Sequence, residues 1–346
     1  MEKLFLSTLN GQPGKRKPVW LMRQAGRYLP EYRALRSQAK NFLDLCLTPQ
    51  LASAITLQPI ERYHFDAAIM FADILLIPYA LGQDLTFHEG EGPRLPGLES
   101  AAALAKLSYA PERLAPVGET LQRVRERLPD DVALIGFCGA PWTVACYMID
   151  GSSHTGFSHT LRWANSLKYD LNKLIQIIVE ASESYLCKQI EAGAEALQIF
   201  DSWAGLLEGE MFAQAVIEPT KELVRRVKAR HPHIPIIGFP RQASLTDYAA
   251  YARETGVDAV SLDQSVPLVY ARDKLQTMKP VQGNLSPDLL VRGGAPMREA
   301  LDVLYKTLGP EHIINLGHGV LPATPPEHVA ELVDWVRGNE AAGTRK

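Results

Sequence analysis

The sequence is poor in the residues that build several kinds of protein. It has four cysteines in 346 residues (Cys46, Cys138, Cys146 and Cys187) and no Cys-x-x-Cys pair. That argues against a disulfide framework and leaves the cysteines as small hydrophobes. No Gly-x-Gly-x-x-Gly run is present, so the phosphate-binding turn of a doubly wound dinucleotide sheet is missing. Positive charge is not in excess. The formal net charge is −3, whereas a nucleic-acid binder usually carries a basic surplus. The most apolar stretch, DAAIMFADILLIPYALG, is short and interrupted by Asp73 and Pro78, which excludes a bilayer span. The first residues, MEKLFLSTLNGQPGKRK, hold too short an apolar run for a signal peptide. The expectation is a soluble cytoplasmic chain with no membrane and no nucleic acid among its partners.

What is present is a large apolar fraction, 46% of residues, ample for an extended core. It is arranged in eight short β-rich runs: PVWLMR (18–23), DAAIMFAD (66–73), VALIGFCG (132–139), ALQIFDS (196–202), IPIIGFP (234–240), AVSLDQ (259–264), PVQGNLS (280–286) and HIINLGHG (312–319). The runs are continuous rather than alternating, as expected of strands covered on both faces. Helical patterns separate them. Thr48-Pro49 opens TPQLASAITLQPIERY, and LNKLIQIIVEASESYLCKQIEAG is a long amphipathic helix ending at Gly193. Ser286-Pro287 reads as a cap, and Thr324 with Glu327 as a capping box. In the last helix Val329, Leu332, Val333 and Val336 form one apolar stripe. Eight β-runs alternating with helices predict an α/β fold, a single-domain (β/α)8 TIM-type barrel over residues 1–346, with short flexible tails at 1–4 and 339–346. Residues 84–97 predict a hairpin inserted after the second strand. No internal repeat is visible.

In such barrels chemistry gathers at the C-terminal ends of the strands. Those ends carry Arg23 and Arg27; Asp73; Gly139 followed by Tyr147; Asp201 and Ser202; Pro240-Arg241; Asp263; Asn284; and His318. No two His, or His and Cys, stand there at metal-ligand spacing. If residues 23–27 open a helix, Arg23 and Arg27 share one face a turn apart, two guanidinium forks suited to a substrate with several carboxylates or phosphates. Gly26 would let a ligand approach the backbone, and His318 between Gly317 and Gly319 would have room for one. Each residue also has a structural alternative. The arginines could pair with surface acids such as Glu31, and Asp73 and Ser202 could be helix caps. Tyr147 could be a core tyrosine, and His318 could tie the last strand to its loop.

The segments RQAGRYLPEYR, FADIL, GFCGAPWTVACYMIDG, IFDSWAG and NLGHGVLP, in that order, closely resemble the uroporphyrinogen decarboxylase family from about residue 5 to about residue 338. The resemblance implies a distorted (β/α)8 barrel that forms a homodimer and uses neither metal nor organic cofactor. It implies a carboxy-lyase that converts the four acetate side chains of uroporphyrinogen III to methyl groups, giving coproporphyrinogen III. It matches Arg23 and Arg27 to carboxylate-binding arginines and Asp73 to the aspartate that reaches the pyrrole N–H groups. Tyr147, Ser202 and His318 match the remaining polar site residues, and Gln24, inside the first motif, joins the substrate-binding set. Asp73, Arg23 and Tyr147 are the catalytic candidates. Where some family members carry histidine after the Asp-Ser pair, this chain has Trp203, so no polar role is assigned there. Two other classes stand beside this expectation. A zinc-dependent methyltransferase would need a late cysteine ligand, and the last cysteine is Cys187. A non-enzymatic anion-binding barrel built on GNLS and GHG is opposed by the negative charge of Asp73.

Overall fold

A computed structural model describes residues 3–88, 92–166 and 168–339. Seven parallel strands form one curved sheet: β1 (Ala67–Ile69), β4 (Ala133–Gly139), β5 (Ala196–Asp201), β6 (Ile236–Pro240), β7 (Ala259–Ser261), β8 (Val281–Gln282) and β9 (His312–Ile313), in that spatial order. The other two, β2 (Thr86–His88) and β3 (Gly92–Arg94), make the expected antiparallel hairpin after the first sheet strand. Consecutive sheet strands are neighbours, and helices cross between them, as parallel strands require. Residues 133–139 are buried throughout, which accounts for the absence of alternation in the sequence. All four cysteines are free and buried.

The first run, residues 18–23, is not a full strand. It makes one parallel bridge, Val19 to Ile314. Trp20 N–H donates to Ile314 C=O at 3.3 Å, and on the other side Asp66 N–H donates to Val19 C=O at 3.0 Å. The segment therefore occupies the eighth position, between β9 and β1. The ladder stops there because side chains take its backbone donors. Asp66 Oδ2 accepts from Val19 N–H (2.7 Å), Gln24 Oε1 from Leu21 N–H (3.1 Å) and Asn315 Oδ1 from Met22 N–H (2.9 Å).

Helices Pro49–Tyr63 and Lys168–Glu191 lie where the patterns predict them, the first with proline at its opening position and the second followed by Gly193 at φ +112°. Ser286 caps the helix Pro287–Arg292 through Asp288 N–H. The predicted Thr324–Glu327 capping box does not form. The last helix runs Pro326–Gly338 with Pro325 as its N-cap, leaving Thr324 one residue too early and its hydroxyl without a partner among the described residues. The apolar stripe of that helix is buried as expected. Of the predicted tails, residues 1–2 and 340–346 lie outside the described residues. Lys3 pairs with Glu195 at 2.6 Å, and Phe5 is fully buried.

The barrel interior includes a buried polar chain. Trp20 Nε1 donates to Gln282 (2.8 Å), Gln282 to Gln198 and Ser261 (3.1 Å each), and Gln198 to the Met22 sulfur (3.7 Å). These amides satisfy one another, so the polar layer is tolerated in the core.

Candidate active site

A cleft of about 1110 Å³ opens at the C-terminal ends of the strands. Pockets for small molecules usually fall within roughly 300–1,000 Å³, so this one suits a bulky ligand. Its wall has two characters. One is aromatic: Phe137, Phe200 and Phe239 come from β4, β5 and β6, with ring centroids 5.5 Å and 6.3 Å apart along the row. The other is cationic, lined by Arg23, Arg27, Arg33, Arg36 and Lys40. Asp73 is the one acidic residue among the described lining residues.

The predicted helix over residues 23–27 is absent. Arg23 has φ +60°, a left-handed conformation that arginine seldom adopts and that a helix cannot contain. The chain makes two tight turns instead, closed by Gln24 N–H to Leu21 C=O (2.9 Å) and Leu29 N–H to Gly26 C=O (3.0 Å). Helix Pro30–Arg36 follows. The turns are laced by Tyr28 Oη to Gln24 C=O (2.8 Å) and by Arg33 Nη1 to the carbonyls of Arg27 (2.8 Å) and Tyr28 (3.2 Å). Arg23 and Arg27 thus reach the cleft together, but from a loop rather than from one helix face.

Gly319 explains the Arg23 position. A Cβ there would lie 2.3 Å from Arg23 Cδ, so the arginine stem crosses where only glycine leaves space. At Gly317 a Cβ would meet Gln264 N at 2.3 Å. The room expected beside His318 is therefore filled by the protein itself, although His318 does line the cleft.

Asp73 stands beyond β1. Its Oδ1 accepts from Leu75 N–H at 2.8 Å, and its Oδ2 has no hydrogen bond among the described residues. Burial raises its pKa; the Leu75 N–H and the Arg23 charge work against that rise. Arg23 is lowered, first by burial and then by Arg27 and Arg241, while Asp73 and Tyr147 counter this. The guanidinium remains a cation at neutral pH. His318 is pushed down to about 3 by burial and by the charges of Arg23 and Arg241. At neutral pH it is a neutral imidazole, able to donate one N–H and unable to act as a resting acid. Burial raises the Tyr147 hydroxyl, with a contribution from Asp73.

The other predicted residues divide. Ser202 lines the cleft. Tyr147, in helix Pro141–Asp150, is buried behind it, within electrostatic reach of Asp73 and Arg23. Gln24 is not brought to the cleft. It is fully buried, and both ends of its amide are bonded to backbone, at Leu21 N–H and Ala67 C=O. Asp263 and Asn284 are also committed internally. Asp263 accepts from Gln242 N–H, Tyr248 Oη and Ser265, and Asn284 donates to the carbonyls of Asp263 and Val266. Sequence reasoning missed Arg36, Lys40 and the phenylalanine row. The signal for the cations was there, in the basic spacing of YRALRSQAK directly after the first arginine pair. Among the described residues no three of His, Cys, Asp and Glu gather in a way that could hold a metal ion.

Comparison with known proteins gives a consistent result. The family described as "Uroporphyrinogen decarboxylase (URO-D)" matches residues 1–338. The uroporphyrinogen decarboxylase of Rhodospirillum rubrum is 51% identical over 339 residues, 97% of this chain and 97% of that protein. Those of Sphingopyxis alaskensis and Paracoccus denitrificans are each 49% identical, over 97% of this chain and 98% and 99% of theirs. Among solved structures, a methyltransferase from Methanosarcina mazei is similar with a TM-score of 0.77 at 20% identity, covering 96% of this chain and 97% of that one. That likeness is one of fold.

Proposed function

The chain belongs to the uroporphyrinogen decarboxylase family, and on that premise we propose that its cleft holds the macrocycle with one acetate carboxylate at Arg23 and Arg27 and the pyrrole N–H groups at Asp73. The activity is that of a carboxy-lyase of tetrapyrrole biosynthesis. Uroporphyrinogen III loses carbon dioxide from its four acetate side chains and becomes coproporphyrinogen III.

Losing carbon dioxide leaves an electron pair on the exocyclic carbon, and something must accept it. A pyrrole can do so itself. Protonation of the ring carbon beside the acetate-bearing carbon makes the ring a cationic iminium. The bond to the carboxylate then breaks and its electrons enter the ring. A proton added at the exocyclic carbon and another lost from the ring give the methyl group. The net change is one proton taken up and one carbon dioxide released per acetate. Because the substrate is its own electron sink, the reading is of a cofactor-free enzyme.

The protein has to bind many carboxylates, stabilise a ring cation and seat an apolar macrocycle face. One observation carries the reading: the cleft is lined by five cationic side chains and a row of phenylalanines but, among the described residues, by a single carboxylate, Asp73, whose Oδ2 accepts no hydrogen bond from them. Asp73 accepts pyrrole N–H bonds through that oxygen, and its negative charge offsets the ring cation. Arg23 and Arg27 bind the reacting acetate by charge-assisted bonds. His318 and Ser202 donate to further carboxylates, and Arg36 and Lys40 take those nearest the rim. Tyr147 orients Asp73 from behind. The reading carries with it a homodimer working in the cytoplasm. Among the described residues no helix is long and apolar enough to cross a membrane.

The test is anaerobic incubation of the chelated and dialysed protein with uroporphyrinogen III, followed by chromatography of the products by carboxyl number. The tetracarboxylic product is expected. Intact eight-carboxyl substrate would refute the reading, and activity that returns only with zinc or magnesium would refute its cofactor-free form.

A further inference from the structure

Ser202 and Tyr147 come from different elements, and one hydroxyl behind the cleft joins those elements. Thr143 Oγ1 donates to Asp201 Oδ1 at 2.6 Å and accepts from Trp203 N–H at 3.0 Å. It therefore holds the residue on either side of Ser202. Trp142 Nε1 donates to Trp203 C=O at 2.9 Å, and Arg241 Nη1 donates to Ser202 C=O at 3.4 Å, so the same loop is fixed at two further points.

Thr143 also lies four residues before Tyr147 in helix Pro141–Asp150, on the same face. Fixing Thr143 against the end of β5 sets the rotation of that helix. It thereby sets where the Tyr147 ring sits against Trp203 (6.4 Å between centroids) and Phe157 (5.5 Å). Thr143 and Asp201 are both fully buried and neither lines the cleft.

The arrangement has a cost that plain packing would not require. Asp201 Oδ2 is buried with no hydrogen-bond partner among the described residues, and an unsatisfied buried carboxylate oxygen is unfavourable. Burial lifts this carboxyl to about 7. A group kept at such a cost beside an active site is a candidate for a role in it.

We propose that Thr143 and Asp201 are positioning residues for the decarboxylation: their bond fixes Ser202 against the substrate and Tyr147 against Asp73. The proposal rests on the function given above. Misplacing reacting groups by about 1 Å can cost roughly a hundredfold in rate, so Thr143→Val should lower kcat about tenfold to a hundredfold with a smaller change in KM. Thr143→Ser, which keeps the hydroxyl, should recover most of the loss.

The experiment measures steady-state decarboxylation of uroporphyrinogen III by wild type, Thr143→Val and Thr143→Ser. It then measures Thr143→Val again in a Tyr147→Phe/Ser202→Ala background, with each protein's thermal unfolding recorded. If Thr143 acts through those two residues, its removal costs little more in that background. Equal kcat for Thr143→Val and wild type, failure of serine to rescue, or an undiminished loss in the double-mutant background would each overturn the proposal. Should the valine variant not fold, Thr143→Ala provides the same comparison without the added methyl group. Wild type that leaves uroporphyrinogen intact would instead overturn the assigned function.

Discussion

Two arginine–aspartate pairs flank the same two neighbouring segments, one at each end of the barrel. Arg16 and Asp66 stand at the N-terminal end, and Arg23 and Asp73 stand seven residues further along each segment, at the cleft. The first pair is closed. Arg16 grips Asp66 with two bonds of 2.7 and 2.6 Å, and Asp66 also accepts Val19 N–H at 2.7 Å. The second pair is open. Arg23 and Asp73 influence each other electrostatically, yet form no ion pair among the described residues, and Asp73 Oδ2 is unoccupied. On the proposed function, the same residue types serve stability at one end and substrate at the other. The difference lies in whether their hydrogen-bonding capacity is already satisfied by the protein.

Breaking each end should give different losses. The double variant Arg23→Ala/Arg27→Ala should lose about a hundredfold or more in kcat/KM, since each charge-assisted bond is worth roughly 1.5–3 kcal/mol. Lysine at both positions should restore part of it, because an ammonium lacks the planar fork. Wild-type kinetics for the double lysine variant would remove the bidentate argument.

At the other end, Asp66→Ala should cost about 3 kcal/mol of folding stability by urea unfolding, because it removes both Arg16 bonds and the acceptor of Val19 N–H at a site where the two side chains are 14% and 9% exposed. Turnover per folded molecule should stay at the wild-type value. A drop in turnover without a drop in stability would mean that the closed pair also serves the reaction.

Two smaller effects sharpen the picture of the open end. His318→Gln should lower kcat/KM about tenfold and leave the shape of its pH profile between pH 5.5 and 8 unchanged, because a histidine held at about 3 does not titrate there. Loss of a step from the profile would show that His318 works as an acid. Lys40→Ala should change kcat/KM by less than about tenfold, and the effect should shrink in high salt, as expected of a rim charge. An effect that is both large and insensitive to salt would place Lys40 deep in the binding mode.

Much of this was legible in the sequence because barrel chemistry collects at strand ends. Arg23, Asp73, Ser202 and His318 each follow an apolar run, and all four line one cleft. What could not be read depended on convergence. Residues 18–23 are as apolar as the true strands, but three distant or local side chains (Asp66, Asn315 and Gln24) take their backbone donors and limit them to one bridge. Gln24 belongs to the site motif in sequence and to the backbone brace in space. The helix expected at 23–27 fails at the φ of Arg23, and the side chain then crosses Gly319, almost three hundred residues away, where a Cβ would clash with it. Phe137, Phe200 and Phe239 are ordinary core residues in sequence. They form an apolar row in the cleft because Phe200 pairs in register with Phe239, and Phe137, two residues before the partner of Phe200 on the next strand, brings its ring within 5.5 Å of that of Phe200.

The most direct test of the open pair is the kcat of Asp73→Asn, measured on protein whose folding matches wild type. Asparagine keeps an acceptor for Leu75 N–H, so the turn contact before helix Leu76–Ala80 survives. It removes the negative charge facing the ring. A unit charge pair about 4 Å apart is worth on the order of 4 kcal/mol at an effective dielectric of ~20. The account therefore predicts a fall of about a thousandfold in kcat with stability little changed, and a partial recovery in Asp73→Glu. Near-normal turnover in folded Asp73→Asn would contradict it, leaving Asp73 as a turn residue and the ring cation without its counter-charge.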